Sequence, residues 1–430
     1  MSRIVLNTFG SFGDLHPYLA IAIELKRRGH SPLVATSEVY RAKVEAEGIE
    51  FAAVRPDVGE LMGQTEFLKR LWDPKHGSKY LLRDYILPKV VEAFEDLSEV
   101  CEGADLLVTH AAAYAGPIVA EVQKRRWISL ALQPAILFST YDPPVVAPAL
   151  WAARFYGMGR WVFAGMLQAA RFETRRWAKP VARLREKLGL PRGANPVIEG
   201  QFSPYGTLAL FSAHFARPQP DWPVNSKTTG FVSYDKRGEG FGPQADSQAL
   251  DAFLNVGQAP VVFTLGSSAV MAAGQFFEES INAVKALGMR AVLLIGKTDK
   301  PPKIESNSIF VTDYAPYSQL LPRAAATVHQ GGIGTTAQAL RAGKPMMIVP
   351  WAHDQPDNAA RCERLGVSRT VRRDTYRHEL VAGELDRLLS DATYANQARR
   401  LAGRLVGEDG VKVACDELET SASSAPGGGR

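Results

Sequence analysis

The apolar positions of the chain fall into short runs that alternate with stretches of helical spacing, in two successive groups. Strands that alternate with helices in this way build parallel sheets covered on both faces. The pattern therefore predicts an α/β protein with two parallel sheets. The runs of the first group are residues 4–8, 33–36, 51–54, 106–109, 128–132 and 207–211, and those of the second are residues 261–265, 291–295, 309–311, 326–329 and 346–349.

The division into domains follows from the two groups and from a change of composition between them. Residues 233–247 are rich in glycine and charge, which is typical of a linker. We predict an N-terminal domain over residues 1–238, a linker over 239–251 and a C-terminal domain over 252–405. A last helix over 406–420 is predicted to pack back on the N-terminal domain. The serine- and glycine-rich residues 421–430 are predicted to be a disordered tail.

Two helical stretches can be placed individually. Residues 17–28 have apolar residues at helical spacing and precede Gly29, a common helix terminator. Residues 150–177 combine a large aromatic face with arginines on one side of the helical wheel, which predicts an amphipathic helix. That helix is compatible with core packing, with the wall of a binding site or with a membrane-surface contact. Of the two functional roles, the binding-site wall is favoured.

Composition and charge exclude several classes of protein. Hydrophobic residues make up 46% and charged residues 22% of the chain, as in soluble globular proteins. The net charge of +5 is small and no long basic block stands out, so nucleic acid is not an expected partner. The cysteines Cys101, Cys362 and Cys415 lack metal or redox spacing, which favours a reducing cytosol. With neither a signal-peptide pattern nor a spanning apolar run, we expect a cytoplasmic protein without a transmembrane segment.

A glycine-rich turn offers the clearest chemistry. Residues 327–336 read T-V-H-Q-G-G-I-G-T-T, so that a strand ends at His329 and a helix pattern begins near Gly334. Glycines let backbone amides approach a phosphate, and a helix start adds unpaired N–H groups and partial positive charge. Thr335 can add a hydroxyl, and His329 can donate to a phosphate oxygen. The turn predicts an anion site, and a plain strand-to-helix connection is its structural alternative.

The neighbouring segments make that anion a nucleotide sugar. Tyr314 and Ala315 follow a strand, where an aromatic ring can stack on a nucleobase. Downstream, Asp354 and Gln355 follow the strand that ends near Pro350 and can bind sugar hydroxyls. A second phosphate contact is predicted where a strand is followed by a glycine and two serines, Ser267 and Ser268.

The order of these elements resembles the donor signature of the small-molecule glycosyltransferases, a family that includes plant, antibiotic and sterol glycosyltransferases. Membership implies two facing Rossmann-like domains of the GT-B type, no metal or other cofactor, and inversion at the anomeric carbon. Tyr314 in place of the plant tryptophan, and Tyr317 in place of a glutamine, leave the base and the sugar open. The donor-binding residues that the resemblance implies are Tyr314 and Ala315 for the base, His329, Gly331, Gly332, Gly334 and Thr335 for the diphosphate, and Asp354 and Gln355 for the sugar.

The N-terminal loop carries the candidate catalytic base. After the first strand the chain reads F-G-S-F-G-D-L-H-P, which is only a partial dinucleotide fingerprint, and Gly13 is a candidate donor contact. In the family that the chain resembles, the base lies in this loop three residues before a proline, and Asp14 has that spacing. Asp14 is therefore predicted to accept the proton of an acceptor hydroxyl, with helix capping as its structural alternative. His16 is a rival base, and His110 is predicted to orient Asp14 or the acceptor.

The resemblance narrows towards the rhamnosyltransferase subunit of rhamnolipid synthesis, through segments such as Leu-Trp-Asp-Pro-Lys around Trp72. It implies transfer of rhamnose or glucose from a dTDP- or UDP-sugar to a small apolar hydroxylated acceptor, a lipid or a polyphenol. His16, Trp72, Trp151 and Phe155 are the candidate acceptor contacts. A nucleotide-sugar epimerase, a non-catalytic nucleotide-sugar-binding subunit and an NAD-dependent oxidoreductase remain alternatives.

Overall fold

The chain is described by a computed structural model that covers residues 1–59, 64–234, 244–267, 269–296 and 306–424. It divides into two compact units. The first unit comprises Met1–Tyr234 together with Glu408–Arg430, and the second comprises Asp235–Gly407. The second unit is thus inserted into the sequence of the first.

The first unit is built on a seven-stranded sheet of order β3-β2-β1-β4-β5-β6-β7, in which all neighbouring strands are parallel. The central strands β4 and β5 bury every residue, as expected of a parallel sheet covered on both faces. The strands are β1 (Arg3–Asn7), β2 (Ser31–Thr36), β3 (Glu50–Ala53), β4 (Leu106–His110), β5 (Trp127–Ala131), β6 (Thr207–Ala209) and β7 (Ser226–Thr228).

The helices of the first unit lie mainly between consecutive strands. Short helical turns at Gly77–Lys79, Tyr80–Ile86 and Leu87–Lys89 lead into α4, and a 3₁₀ segment at Ala147–Met158 precedes α6. The helices are α1 (Phe12–Arg27), α2 (Arg41–Glu45), α3 (Thr65–Leu71), α4 (Val90–Val100), α5 (Ala115–Val122), α6 (Arg160–Trp177) and α7 (Lys179–Lys187).

The second unit has a six-stranded parallel sheet of order β10-β9-β8-β11-β12-β13. Its strands are β8 (Val261–Thr264), β9 (Ala291–Leu294), β10 (Ile309–Thr312), β11 (Ala326–His329), β12 (Met346–Ile348) and β13 (Ser368–Thr370). Its helices are α8 (Gln244–Leu254), α9 (Phe276–Ala286), α10 (Tyr317–Leu320), α11 (Ile333–Ala342), α12 (Gln355–Arg364), α13 (His378–Ser390) and α14 (Ala392–Leu405).

The last helix, α15 (Gly410–Ser423), belongs to the first unit and packs against α1. Cys415 and Leu418 are fully buried in the core of that unit. At the rim, the Arg28 guanidinium donates to Glu24 (2.8 Å), Asp416 (2.7 Å) and Glu419 (2.8 Å). The contact therefore combines apolar burial with a cluster of ion pairs.

The predicted fold class is confirmed, since each of the eleven apolar runs coincides with a strand of one of two parallel sheets. Four boundaries were wrong. The predicted linker 239–251 overlaps α8, which starts at Gln244, while residues 235–243 lie outside the described residues. The tail predicted from residue 421 begins too early, because α15 runs to Ser423, and residues 425–430 are not described.

The other two corrections concern helix boundaries. The first helix begins at Phe12 rather than Pro17, because Ser11 and Asp14 form a capping box ahead of it. Residues 150–177 do not form one helix. Gly159, with a φ of 102°, separates the 3₁₀ segment from α6, because glycine alone adopts that backbone conformation without strain.

Candidate active site

The order of strands in the first sheet identifies the edge at which a ligand would bind. From β1, the chain proceeds to β2 and β3 on one side and then crosses to β4 on the other. In parallel α/β sheets, ligands bind beyond the carboxyl ends of the strands at such a switch point. Asp14 follows β1 and His110 ends β4, so both candidate residues lie at the switch point of this sheet.

Asp14 is the third residue of α1 and is held by the residue that caps that helix. Its Oδ2 accepts hydrogen bonds from the Ser11 backbone N–H (2.7 Å) and the Ser11 hydroxyl (3.1 Å). The Ser11 Oγ in turn accepts from the Gly13 N–H at 3.1 Å. The capping role predicted as the structural alternative is therefore present, but it occupies only Oδ2. The second oxygen, Oδ1, is left for other contacts.

His110 faces that second oxygen. Its Nε2 lies 3.6 Å from Asp14 Oδ1, and its Nδ1 accepts the Ala112 N–H at 3.3 Å. An Nδ1 that accepts requires the neutral ring to carry its proton on Nε2, which lies near Asp14 and makes no hydrogen bond among the described residues. Burial lowers the pKa of His110, and the nearby Asp14 charge opposes that shift only in part. The structure thus brings together the two residues that the sequence placed in separate loops.

Gly10 is a requirement of this arrangement that the sequence analysis did not identify. A Cβ at Gly10 would lie 2.2 Å from Asp14 Oδ2, and the backbone there has a φ of 138°. Any side chain would displace the carboxylate as well as strain the loop. The glycine is the one signal in the sequence that could have revealed this packing.

A small pocket with a cavity volume of about 20 Å³ lies at the same edge of the first sheet. Its walls are mainly apolar and come from the loops after β1, β3 and β4, from the helical stretch that leads into α4 and from α4 itself. Among its lining residues are Phe9, Pro56, Ile86, Val90, Ala112 and Tyr114. Sequence reasoning missed this pocket because its walls come from segments that are far apart along the chain.

The predicted acceptor contacts are dispersed. Trp151 and Phe155 are exposed and meet edge to face, with ring centroids 6.0 Å apart. Trp72 is buried with 6% of its surface exposed, so it presents little surface to an acceptor in this conformation. His16 packs between Phe12 and Tyr234, and burial followed by the Lys43 charge lowers its pKa to about 4. Two positions beyond Asp14 on a helix, it also points away from that carboxylate.

The second unit has a switch point of its own, between β8 and β11. Two glycine turns follow these strands. Gly266 (φ 67°) comes after β8 and Gly331 (φ 88°) after β11. A Cβ at Gly331 would lie 2.8 Å from Ile348 Cγ2 and 3.2 Å from the Gln355 carbonyl, so this position accepts glycine alone. The predicted phosphate turn therefore lies at the ligand-binding edge of the sheet.

The helix that follows the turn presents free donors. Gly332 caps α11 without a side-chain hydrogen bond, and the first backbone interaction is the Thr336 N–H donating to the Gly332 carbonyl at 2.9 Å. The N–H groups of the first helical residues, Ile333 to Thr335, have no acceptor within the helix. Nothing lies within 4 Å of a Cβ added at Gly334, so an anion has room to approach there.

His329, which we predicted to donate to a phosphate oxygen, has its ring inside the protein. It is fully buried, its Nδ1 accepts the Gly331 N–H at 3.1 Å, and its Nε2 lies 3.3 Å from Met346 Sδ. Burial lowers its pKa to about 3, so the ring is neutral. In this conformation His329 shapes the turn through the Gly331 amide, and a direct bond to a phosphate would require the ring to move.

Gln330 fills the gap between the two glycine turns. A Cβ at Gly266 would lie 2.4 Å, and one at Gly332 2.9 Å, from its Nε2. Its Oε1 is buried without a hydrogen-bond partner among the described residues. A buried acceptor of this kind is costly unless a donor reaches it, which marks Gln330 as a site residue that the sequence analysis missed.

The predicted sugar-binding pair differs in exposure. Asp354 is partly exposed and its Oδ2 accepts from Asn358 Nδ2 at 2.7 Å. Gln355 is buried, and its Oε1 accepts the Trp351 and Ala352 N–H groups at 2.7 and 3.2 Å, so its amide oxygen stabilises the loop. Asn358 also donates to the Gly331 carbonyl at 2.9 Å and thereby links α12 to the glycine turn.

The remaining predicted donor contacts follow neighbouring strands. Tyr314 is partly exposed after β10, and Ala315 beside it is buried. Ser267 is exposed after β8, and Ser268 lies outside the described residues. Within the described ranges, no three histidine, cysteine or acidic side chains gather as metal ligands would. In the same ranges, no helix combines the length and apolarity needed to traverse a bilayer.

Two family models match the chain. The model of the glycosyltransferase family 28 N-terminal domain matches residues 4–128, and that of the erythromycin biosynthesis protein CIII-like C-terminal domain matches residues 284–411. The first match covers the loops of Asp14 and His110, and the second covers the glycine turn and Asp354.

Curated relatives match over almost the whole chain. An O-mycaminosyltylonolide 6-deoxyallosyltransferase of Streptomyces fradiae is 31% identical over 433 residues, with 97% of each chain covered. A sterol 3-beta-glucosyltransferase of Neurospora crassa is 28% identical over 97% of this chain, which spans only 27% of that longer protein.

Solved structures share the fold at lower identity. The glycosyltransferase of kitacinnamycin superposes with a TM-score of 0.71 at 21% identity, covering 98% of this chain and 99% of its own. The spinosyn rhamnosyltransferase SpnG, solved with thymidine diphosphate, superposes with a TM-score of 0.66 at 16% identity, covering 97% of this chain and all of its own.

Proposed function

The chain belongs to the glycosyltransferase family that includes antibiotic and sterol glycosyltransferases, and from this premise we propose the reaction it catalyses. It transfers rhamnose or glucose from a dTDP- or UDP-sugar to the hydroxyl of a small apolar acceptor, without a metal ion and with inversion of the anomeric carbon. The observation that carries the proposal is the Asp14 carboxylate at the switch point of the first sheet, held by Ser11 and facing His110.

The second unit binds the donor in this proposal. The amides at the start of α11 and the open space at Gly334 suit a diphosphate, and the partial positive charge of the helix start attracts it. Tyr314 stacks on the base, and Asp354 accepts hydrogen bonds from sugar hydroxyls. A thymidine nucleotide is favoured by the similar structure solved with thymidine diphosphate, and a deoxy sugar such as rhamnose by the name of the Streptomyces relative.

The first unit binds and activates the acceptor. Apolar side chains such as Phe9 and Ala112 lie at this edge of the sheet and suit an apolar molecule, and Trp151 and Phe155 provide further aromatic surface. Asp14 Oδ1 accepts the proton of the acceptor hydroxyl, while the neutral His110 keeps that oxygen oriented. His110 is in this scheme a positioning residue.

The chemical step is a single displacement. The acceptor oxygen loses its proton to Asp14 and forms a bond to the anomeric carbon as the bond from that carbon to the diphosphate oxygen breaks. The electron pair of the broken bond goes to the nucleotide diphosphate, whose charge the α11 amides stabilise. Because attack and departure occur on opposite faces, the anomeric configuration inverts.

The test of this proposal is Asp14→Asn, assayed with dTDP-rhamnose, dTDP-glucose and UDP-glucose against phenolic and lipid acceptors. The amide oxygen of asparagine can still accept the Ser11 N–H, so the helix cap remains, but it cannot take a proton. We expect turnover to fall about 10²- to 10⁴-fold with donor affinity unchanged. Glu45→Gln, which alters an exposed carboxylate on α2, is the matched control and should keep full activity.

Three results would count against the proposal. Undiminished turnover of Asp14→Asn would show that Asp14 is not the catalytic base. A product that NMR shows to have kept the donor's anomeric configuration would contradict the single displacement. Activity that is lost on chelation and restored by magnesium would contradict the proposal that the reaction needs no metal ion. Conversion of the donor in the absence of any acceptor would instead favour an epimerase.

A further inference from the structure

One face of α6 exposes large aromatic side chains in the first unit. Trp161 and Phe172 have 74% and 63% of their surface exposed. They are eleven positions apart, which corresponds to about three helical turns, so both side chains project from the same side of the helix, about 16 Å apart. Exposed aromatic residues of this size are rare on a surface that faces only water.

The rest of that side is flat and the opposite side is packed. Gly165, Gln168 and Ala169 are exposed between the two aromatic residues and present little bulk. On the opposite side, Phe163 and Leu167 are buried. The exposed rings are therefore not part of the apolar core. They form a separate surface, which we call the α6 face and define by Trp161, Gln168, Phe172, Arg175 and Arg176.

This surface lies in the most basic part of the chain. Residues 160–192 contain nine basic and two acidic residues, whereas the balance of the entire chain is only +5. Apolar residues separate the charges, so the sequence shows no uninterrupted basic block. Glu173 is paired with Lys79 at 3.1 Å and lies 4.0 Å from Arg176, while Arg171 and Arg185 are paired with Glu199 and Glu121. The other basic residues leave a net positive charge around the α6 face.

The arginines are in direct contact with the aromatic rings. The Arg160 guanidinium lies over the rings of Tyr141 and Trp161, at 5.0 and 4.5 Å from their centres, and that of Arg176 lies 4.8 Å from the centre of Phe172. Beside the face, a pocket is lined by Arg171, Arg175 and Arg192, with Glu199 bonded to Arg171. Aromatic and cationic groups thus form one surface.

We propose that the α6 face binds the surface of an anionic lipid bilayer. Tryptophan and phenylalanine insert at the boundary between headgroups and acyl chains, and arginines beside them bind lipid phosphates. A nucleic-acid partner would explain the charge but not the broad apolar surface, and a neutral protein groove would explain the rings but not the excess of arginine. The attachment is peripheral and is independent of the proposed reaction.

The experiment is co-sedimentation of the full chain with vesicles of phosphatidylcholine alone or of phosphatidylcholine mixed equally with phosphatidylglycerol. We expect binding to the mixed vesicles only, and weaker binding as salt is raised. Trp161→Ser with Phe172→Ser should abolish it, and Arg175→Gln with Arg176→Gln should weaken it about fivefold per arginine.

Matched controls separate the face from general effects. Val224→Ser removes an exposed apolar side chain elsewhere in the first unit, and Arg400→Gln with Arg404→Gln removes two exposed arginines from α14. Both controls should bind as the unmodified chain does, and the face variants should keep their melting temperature and their turnover of a water-soluble acceptor.

Three outcomes would overturn the proposal. Equal binding to neutral vesicles would show that the negative charge of the lipids does not contribute. Unchanged binding by the aromatic double variant would show that the α6 face is not the contact. If the chain sediments in the absence of vesicles and the aromatic variant does not, the face is a contact between copies of this chain.

Discussion

Asp14 depends on neighbours that need not touch either substrate. Ser11 occupies one carboxylate oxygen, His110 faces the other, and Gly10 leaves the space in which the side chain lies. The carboxylate is therefore oriented by the loop before any acceptor arrives. A carboxylate that is already oriented in this way accelerates a reaction more than a flexible carboxylate of the same basicity does.

Replacing His110 tests this orientation. His110→Phe keeps a buried ring but removes the N–H that faces Asp14, so we expect turnover to fall while the KM for the donor stays unchanged. The loss should therefore appear in kcat. A purely structural defect would instead raise the KM values and lower the melting temperature together with kcat.

Tyr18→Phe is the control for this experiment. The Tyr18 ring is a buried neighbour of His110, with centroids 6.2 Å apart, and its hydroxyl has no hydrogen-bond partner among the described residues. Its removal should leave kcat unchanged. An unaltered kcat in His110→Phe would contradict the positioning role.

Two glycines of the donor turn separate folding from binding. Gly331→Ala forces a Cβ to within 2.8 Å of Ile348 at a φ of 88°, so we expect a large loss of stability in the second unit. Gly334→Ala has open space around it and should leave the melting temperature unchanged or raise it. If the diphosphate approaches Gly334 as proposed, that variant should nevertheless bind thymidine diphosphate more weakly in calorimetry. Unaltered binding would place the diphosphate elsewhere.

Among the elements, α15 stabilises a unit from which it is distant in sequence. Leu418 is fully buried in the core that includes α1, so Leu418→Ala should cost about 2–5 kcal/mol. The exposed Thr420→Ala, half a turn away, should change stability by less than about 0.5 kcal/mol. Hydrogen exchange should quicken in β4 and not in β11. An equal effect in both strands would show that the units unfold together.

The sequence predicted the central strands and missed one edge strand of each sheet, β7 and β13. Residues of the central strands are apolar in continuous runs, which identifies them, whereas β7 and β13 read Ser-Lys-Thr and Ser-Arg-Thr. An edge strand is hydrogen-bonded on one side only and needs no apolar run, so nothing local distinguishes it from a loop. The same limit applies to α8, whose helical residues follow a glycine-rich segment and were assigned to the linker.

The candidate site was predictable in its residue types but not in its contacts. Motif spacing indicated Asp14, the glycine turn and Asp354, because those signals are local. The burial of His329, the role of the Gln355 oxygen and the contact of Gln330 with two turns depend on packing between distant segments. These could be known only from the folded chain.

At the scale of the whole molecule, the two units share one arrangement, a buried histidine that accepts a backbone N–H at the end of a strand. In each, a histidine ends the strand after the switch point, is buried and neutral, and accepts at Nδ1 the N–H of the residue two positions on. In the first unit the ring also faces a carboxylate, and in the second it shapes a phosphate turn. The repeated architecture thus extends to the turn that holds each candidate site.

This division of roles predicts which unit responds to which ligand. Thymidine diphosphate alone should slow hydrogen exchange in residues 326–342 and leave residues 3–27 unchanged if the second unit binds it as proposed. At a hundredfold excess over its Kd, the stabilisation should be about 2.7 kcal/mol. Gly334→Ala provides the control with reduced binding. Protection confined to β1 and α1 would contradict the assignment of the donor to the second unit.

The insertion of the second unit into the sequence of the first has a consequence for synthesis on the ribosome. The first unit needs α15, which is translated after the second unit, whereas the second unit is complete once Gly407 has emerged. Because domains fold as units while the chain is made, the second unit should fold before the one that begins the chain. A nascent chain arrested before α15 should therefore be protease-resistant in residues 244–407 and cleavable in residues 1–234. Resistance in both regions would show that the first unit folds without α15.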